Sequence, residues 1–78
     1  MRDKGDTEAA LADFNRAIEL SPTTGFLYLE RGALMVAKGE DAAAQKDFDK
    51  AIKIDPSLKP MVEARIKQER EKREGSQQ

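Results

Sequence analysis

The chain repeats itself at an interval of 34 residues. The segment from Lys4 to Pro22 returns as the segment from Lys38 to Pro56, with nine of 19 paired positions identical. The identical pairs are Lys4/Lys38, Gly5/Gly39, Ala9/Ala43, Ala10/Ala44, Asp13/Asp47, Phe14/Phe48, Ala17/Ala51, Ile18/Ile52 and Pro22/Pro56. They combine turn residues with one face of a helix. A fixed period of this length predicts stacked supersecondary units.

Composition limits the size and the chemistry of such a fold. A chain of 78 residues forms at most one small domain, which buries roughly 60% of the surface that its unfolded form exposes. The 14 basic and 15 acidic residues are interspersed through most of the sequence. No single-sign field therefore attracts a phosphate backbone or an anionic bilayer, and we expect neither nucleic acid nor membrane as a partner.

Two residue types that carry much protein chemistry are missing. The sequence has no cysteine and no histidine, which removes thiolate chemistry, the commonest general base and the commonest metal ligand. We expect no catalytic residues, no metal site and no cofactor. No apolar run approaches the roughly 20 residues of a membrane helix, and no signal-peptide core follows the first residues. A cytoplasmic location is the expectation.

Apolar spacing and turn residues predict an all-α fold with four helices. The predicted helices span residues 7–20, 25–38 and 41–54, and a fourth helix is predicted to begin near Ser57 or Leu58 and to continue to residue 74. Asp6 is the candidate N-cap of the first helix. Pro22 and Pro56 end the first and third helices because proline cannot continue a helix. Gly39 is placed to take the left-handed conformation that stops the second helix.

The second predicted helix is apolar nearly all round, which indicates neighbours on more than one side. Gly32 at its centre costs about 1 kcal/mol relative to alanine, so we expect another backbone to come close there. Arg31 is a charged residue among apolar neighbours. We expect it to form a structural salt bridge with Asp47 or Glu30.

The segment Tyr28-x2-Arg31-Gly32-x2-Met35, followed by Gly39, Ala44-x3-Phe48, Ala51 and Pro56, resembles a tetratricopeptide repeat. The signature of that family is W-x2-L-G-x2-Y, then A-x3-F, then P. Arg31 departs from it by replacing the usual leucine. The resemblance implies antiparallel helix-turn-helix repeats, an α-solenoid fragment. It assigns residues 4–22 to the second helix of a partial repeat, 25–58 to a full repeat, 59–74 to a C-terminal capping helix and 75–78 to a disordered tail.

The resemblance also implies a function, because the first helix of each pair lines the concave surface in this family. The residues expected there are Phe26, Leu29, Ala33, Val36 and Ala37. All five are apolar, as suits a groove for an amphipathic helix or an extended apolar segment of a partner protein. The alternative is that the fourth helix or a second copy of the chain simply buries them. The expected function is thus a non-catalytic adaptor or scaffold segment, or else a self-assembling structural module.

After Ile66 every residue except Gly75 is polar, so we expect a solvated helix end. Lys67 and Arg70 could meet a partner carboxylate there, although a charged helix end is more often only solvated. The acidic neighbours Glu40/Asp41 and Asp47/Asp49 are explained by helix capping and solubility.

The first helix is expected to remain partly uncovered along Ala10, Phe14 and Ala17. Either the sequence was excised from a longer array, or a second copy of the chain covers that edge.

Overall fold

The computed structural model describes residues 4–75, which form four α-helices and one short 3-10 turn. The elements are α1 (Lys4–Leu20), α2 (Gly25–Lys38), α3 (Asp41–Ile54), a 3-10 turn (Pro56–Leu58) and α4 (Lys59–Gly75). α2 is central: it packs most extensively against α3 and also contacts α1 and α4. The all-α fold with four helices is confirmed for the described part of the chain.

Helix boundaries agree with the sequence at α2 and α3 but not at the starts of α1 and α4. α4 begins at Lys59, after the 3-10 turn, rather than near Ser57 or Leu58. α2 and α3 have the predicted bounds, whereas α1 begins at Lys4 rather than at Thr7. Asp6 therefore lies within the first turn and not at the N-cap. A carboxylate in that turn is stabilised by the positive end of the helix dipole. α4 ends at Gly75, and the remainder of the predicted disordered tail lies outside the described residues.

The turn between α2 and α3 depends on a glycine, as predicted. Gly39 has a φ of 86° in the left-handed region. Its N–H donates to the carbonyl of Val36 at 2.9 Å, and the N–H of Glu40 donates to the carbonyl of Met35 at 2.8 Å. These two bonds satisfy carbonyl groups that the end of a helix otherwise leaves unpaired.

The hydrophobic core is formed by α2, α3 and α4. Its buried members are Leu29, Val36, Ala44, Phe48, Ala51 and Val62, and the side chains packed around them are Tyr28, Met35, Ile52, Leu58 and Ile66. Phe48 and Leu29 are the largest fully buried side chains of the described residues. The residues that repeat between α1 and α3 thus provide the centre of the core in α3.

Two glycines of α2 allow α3 to approach closely. A Cβ at Gly32 would lie 2.7 Å from Cε1 of Phe48, and one at Gly25 would lie 2.9 Å from the carbonyl oxygen of Ala51. At Gly32 the close neighbour is therefore an aromatic ring and not the backbone expected from the sequence. The backbone contact occurs at Gly25, one end of the same helix.

Arg31 joins three helices. Its guanidinium donates to both carboxylate oxygens of Asp47 at 2.8 Å and to Oδ1 of Asn15 at 2.9 Å. The same group lies 5.5 Å from the ring centroid of Tyr28, a distance that permits a cation–π contact. The salt bridge with Asp47 confirms the sequence expectation, and its hydrogen bond raises the pKa of Arg31 above the ordinary value.

Candidate functional site

A groove lies between the first turns of α1, the second half of α2 and the second half of α4. It has a volume of about 520 Å³. We call it the α1–α2–α4 groove and define it by its lining residues. These are Asp6, Thr7, Ala10, Leu34, Ala37, Arg65, Glu69, Lys72 and Arg73.

The apolar lining of the groove comes from α1 and α2. Ala10, Leu34 and Ala37 contribute it. Ala37 is exposed, whereas Ala10 and Leu34 are half-buried. These small and medium side chains leave room for a partner side chain, and covering them would remove apolar surface from water.

The charged lining of the groove comes mainly from α4, where Arg65 holds the helix to α2. Its Nη1 and Nη2 donate to the two carboxylate oxygens of Glu30 at 2.7 and 2.9 Å. Its Nε also donates to Glu69 at 3.4 Å. The hydrogen bond with Glu30 raises the pKa of Arg65 above its ordinary value. A bidentate arginine–carboxylate pair fixes direction as well as distance, so it orients this wall of the groove.

The end of α4 is attached more firmly than its composition indicates. Glu69 is only 7% exposed, and its carboxylate lies 3.7 Å from the ammonium of Lys72. Arg73 donates to the carbonyl of Val36 and to the carboxylate of Asp41, both at 3.0 Å. The expectation of a solvated helix end is therefore wrong for Glu69 and Arg73, because the chain brings complementary groups of α2, α3 and α4 together there.

A further ion pair joins α1 to the end of α2. Nζ of Lys38 lies 2.6 Å from a carboxylate oxygen of Glu8 and 3.4 Å from one of Glu40. The hydrogen bond with Glu8 raises the pKa of Lys38 above its ordinary value, and Glu40 adds to the effect. This pair sits one residue beyond Ala37 and so helps to hold α1 beside the apolar lining of the groove.

The structure separates the five residues expected on the concave face. Leu29, Ala33 and Val36 are 0%, 2% and 3% exposed, so a partner cannot contact their side chains in this fold. Phe26 is 45% exposed, and Ala37 is exposed and lines the groove. Of these three residues, Leu29 and Val36 belong to the same core cluster as Val62 of α4, which agrees with the alternative that the fourth helix buries such side chains.

Sequence reasoning missed most of the groove. Leu34 and Arg65 were not singled out, and Glu69, Lys72 and Arg73 were part of a helix end taken to be solvated. One signal was present: Arg65 lies 34 residues after Arg31, and each arginine connects neighbouring helices. Lys67 and Arg70, the cations proposed to meet a carboxylate, are exposed but do not line the groove.

The groove is lined by both apolar and charged side chains. Among the described residues there is no cluster of three or more acidic side chains placed to hold a metal ion. No helix in that part of the chain combines the length and the apolar character needed to cross a bilayer. Apolar side chains beside oriented charges suit recognition of an amphipathic segment, with apolar contact supplying affinity and the charges supplying register.

Comparison with known families gives one result. A family model described as tetratricopeptide repeat matches residues 2–24 and residues 27–58. The first match falls on α1, and the second covers most of α2, all of α3 and the 3-10 turn. Neither curated proteins nor solved structures show a significant match.

Proposed function

Because the chain belongs to the tetratricopeptide repeat family, whose repeats are generally protein–protein interaction modules, we propose that it is a non-catalytic adaptor or scaffold segment. The partner is a protein or a peptide, and it binds in the α1–α2–α4 groove. The observation that carries this proposal is the accessible apolar lining beside a charged wall held by the Arg65–Glu30 pair. Of the five concave-face residues expected from the sequence, the proposal keeps Ala37 as a direct contact.

The charges of the groove favour a particular type of partner segment. Lys72 is 65% exposed and lines the groove, whereas Arg65 and Arg73 there are already paired with Glu30 and Asp41. A short amphipathic helix places apolar side chains on Leu34 and Ala37 while its acidic side chains lie toward α4. Such a helix-in-groove arrangement reads anchors at intervals of three and four residues.

The test begins with amphipathic peptides selected from a displayed library, whose affinities are then measured by fluorescence anisotropy. We expect Ala37→Glu to weaken binding by about tenfold or more, because a buried unpaired carboxylate loses its solvation. Ala12→Glu is the matched control, since Ala12 is an exposed alanine of α1 outside the groove. Amide shifts of the labelled chain should change around Leu34 and Lys72 when peptide is added. Shift changes confined to other surfaces would refute the groove as the binding site.

Self-assembly is the second candidate, and exposed apolar side chains favour it. Leu20 is 79% exposed, Met61 51% and Phe26 45%. Exposed large apolar side chains often mark an interface. The absolute mass measured by light scattering over a hundredfold range of concentration separates the candidates. A monomer at all concentrations removes this second function, whereas a concentration-dependent dimer retains it.

A further inference from the structure

Four identical residues occupy equivalent positions of α1 and α3 but differ in burial. The pairs are Ala10/Ala44, Asp13/Asp47, Phe14/Phe48 and Ala17/Ala51. In α3 these residues are 1%, 6%, 2% and 0% exposed. In α1, Asp13 is exposed and the other three are half-buried. We call the surface formed by Ala10, Asp13, Phe14 and Ala17 the α1 repeat face. It presents the same side chains as α3, but no helix buries them to the same extent.

α2 packs over this face of α3, and three residues of α2 show which side chains fit against it. Gly32 lies against the ring of Phe48, where even a Cβ would be 2.7 Å away. Arg31, the residue before it, forms the bidentate pair with Asp47. Gly25, seven residues before Gly32, lies against the backbone of Ala51. The pattern of α2 is a glycine, five further residues, an arginine and a second glycine. A helix with alanine at the two glycine positions would lie somewhat farther from such a surface.

α1 carries a similar pattern, with alanine in place of each glycine. Ala10, Arg16 and Ala17 occupy the same relative positions as Gly25, Arg31 and Gly32 of α2. α1 therefore contains counterparts of both halves of the α2–α3 contact. It has alanines and an arginine in place of the glycines and arginine of α2, and it has the aspartate and phenylalanine of α3. A surface that carries both halves is self-complementary, which is the requirement for a two-fold symmetric interface.

We propose that the α1 repeat face docks on the α1 repeat face of a second copy of this chain, with the two helices antiparallel. Arg16 of each copy pairs with Asp13 of the other, and Ala17 of each lies against Phe14 of the other. Both charged residues are exposed in the single chain. The docking repeats the arginine–aspartate and small-residue–phenylalanine pairings of α2 and α3, with the two helices farther apart because Ala10 and Ala17 each carry a Cβ where α2 has glycine.

This arrangement satisfies the geometry of helix pairs. Residues 10 and 17 lie two turns apart on one line of the helix, and residues 13 and 16 lie on the same flank of that line. A two-fold axis perpendicular to two antiparallel helices brings this flank of one helix beside the same flank of the other. Asp13 therefore meets Arg16 of the second copy, not its own equivalent. The buried residues Leu11 and Ile18, which are 8% and 9% exposed, project from a different side of α1.

The inference deepens the self-assembly candidate and does not depend on the partner groove. Ala10 is the one residue that belongs to both surfaces. The variant Ala37→Glu changes the groove and leaves the α1 repeat face intact. Loss of peptide binding with an unchanged dimer, or the reverse, tells the two proposals apart.

The test uses charge reversal in the full chain, with dimer dissociation measured by sedimentation equilibrium. Asp13→Arg and Arg16→Asp each place like charges at both ends of the interface, so we expect each to weaken the dimer by about tenfold or more. The double variant Asp13→Arg/Arg16→Asp should recover the affinity to within about threefold. An equimolar mixture of the two single variants should form a mixed dimer, because opposite charges then meet.

Controls address folding and non-specific charge. Lys46→Asp reverses an exposed charge on α3 and should leave the dimer unchanged. Far-UV circular dichroism should show equal helix content in all variants, since both exchanged side chains are exposed. A chain that stays monomeric at millimolar concentration overturns the proposal. So does a dimer that is indifferent to the single reversals, or one that the double variant fails to restore.

Discussion

Replacing Gly32 with alanine tests whether α2 and α3 depend on a missing side chain. In the middle of an exposed helix, alanine is about 1 kcal/mol more favourable than glycine. Here the new Cβ would lie 2.7 Å from Cε1 and 2.9 Å from Cδ1 of Phe48, whereas ordinary van der Waals contact begins at 3.4 Å. The ring or the helix would therefore have to move by about 0.7 Å, the difference between 3.4 and 2.7 Å.

The ring has little space in which to move, because Phe48 is only 2% exposed. Adding a methyl group to a packed core costs about 1–3 kcal/mol. After the gain in helix propensity is subtracted, we expect Gly32→Ala to lower the free energy of unfolding by about 1 kcal/mol. In a Phe48→Leu background Cε1 and Cζ, two of the three atoms nearest the added Cβ, are gone, and the same change should stabilise by up to about 1 kcal/mol. The expected coupling is about 2 kcal/mol.

The assay is urea unfolding followed by circular dichroism, applied to the full double-mutant cycle. Gly39→Ala provides the matched control: it strains a residue with φ of 86°, but nothing lies within 4 Å of the added Cβ. Its cost, about 1–2 kcal/mol, should be equal in both backgrounds. If Gly32→Ala stabilises the parent chain, or changes the free energy of unfolding equally in both backgrounds, the contact with Phe48 is not the reason that position 32 requires glycine.

Three further predictions concern burial and charge. Phe48→Ala should destabilise the monomer by about 3–5 kcal/mol. Phe14→Ala should destabilise it by clearly less, because the ring of Phe48 is fully enclosed and that of Phe14 is not. Equal losses of unfolding free energy in urea would contradict this. Leu29→Glu should abolish folding, seen as lost helix content, since Leu29 is 0% exposed; a folded variant would contradict its burial. Glu8 raises the folded pKa of Lys38. The stabilisation that the Lys38–Glu8 ion pair gives to the folded chain is therefore fully present below the unfolded pKa near 10.5, and it is lost as the pH rises through the folded pKa. In Lys38→Met that alkaline loss of stability should shrink in pH-dependent unfolding, and an unchanged profile would refute the assignment.

Local signals predicted the helices because such signals act within one or two turns. The 34-residue period, the prolines and Gly39 indicated where helices begin and end, and α2 and α3 have the predicted bounds. The beginning of α1 was misplaced by three residues. Helix N-termini are set by small differences among neighbouring capping arrangements, and Asp6 is stabilising both as a cap and within the first turn.

Charge partners were predictable only where the sequence limited the choice. Arg31 lay among apolar residues, so a buried acceptor was required, and Asp47 provides it. Glu69 and Arg73 belong to a run of charges with many possible partners along the same helix. Their actual environment depends on how α4 crosses α2 and α3, and no pattern within α4 specifies that crossing.

The sequence by itself determined the four helices, the repeat that relates them and the residues able to form close helix contacts. Only the tertiary structure decided which of those residues are covered. Leu29, Ala33 and Val36 are apolar in a way that suits either a groove or a core, and the packing of α2 with α3 and α4 places them in the core. Phe14 and Phe48 are the same residue in the same register, yet one is half-buried and the other enclosed. Burial is a property of neighbours, and identical side chains acquire different exposure because the helices beside them differ.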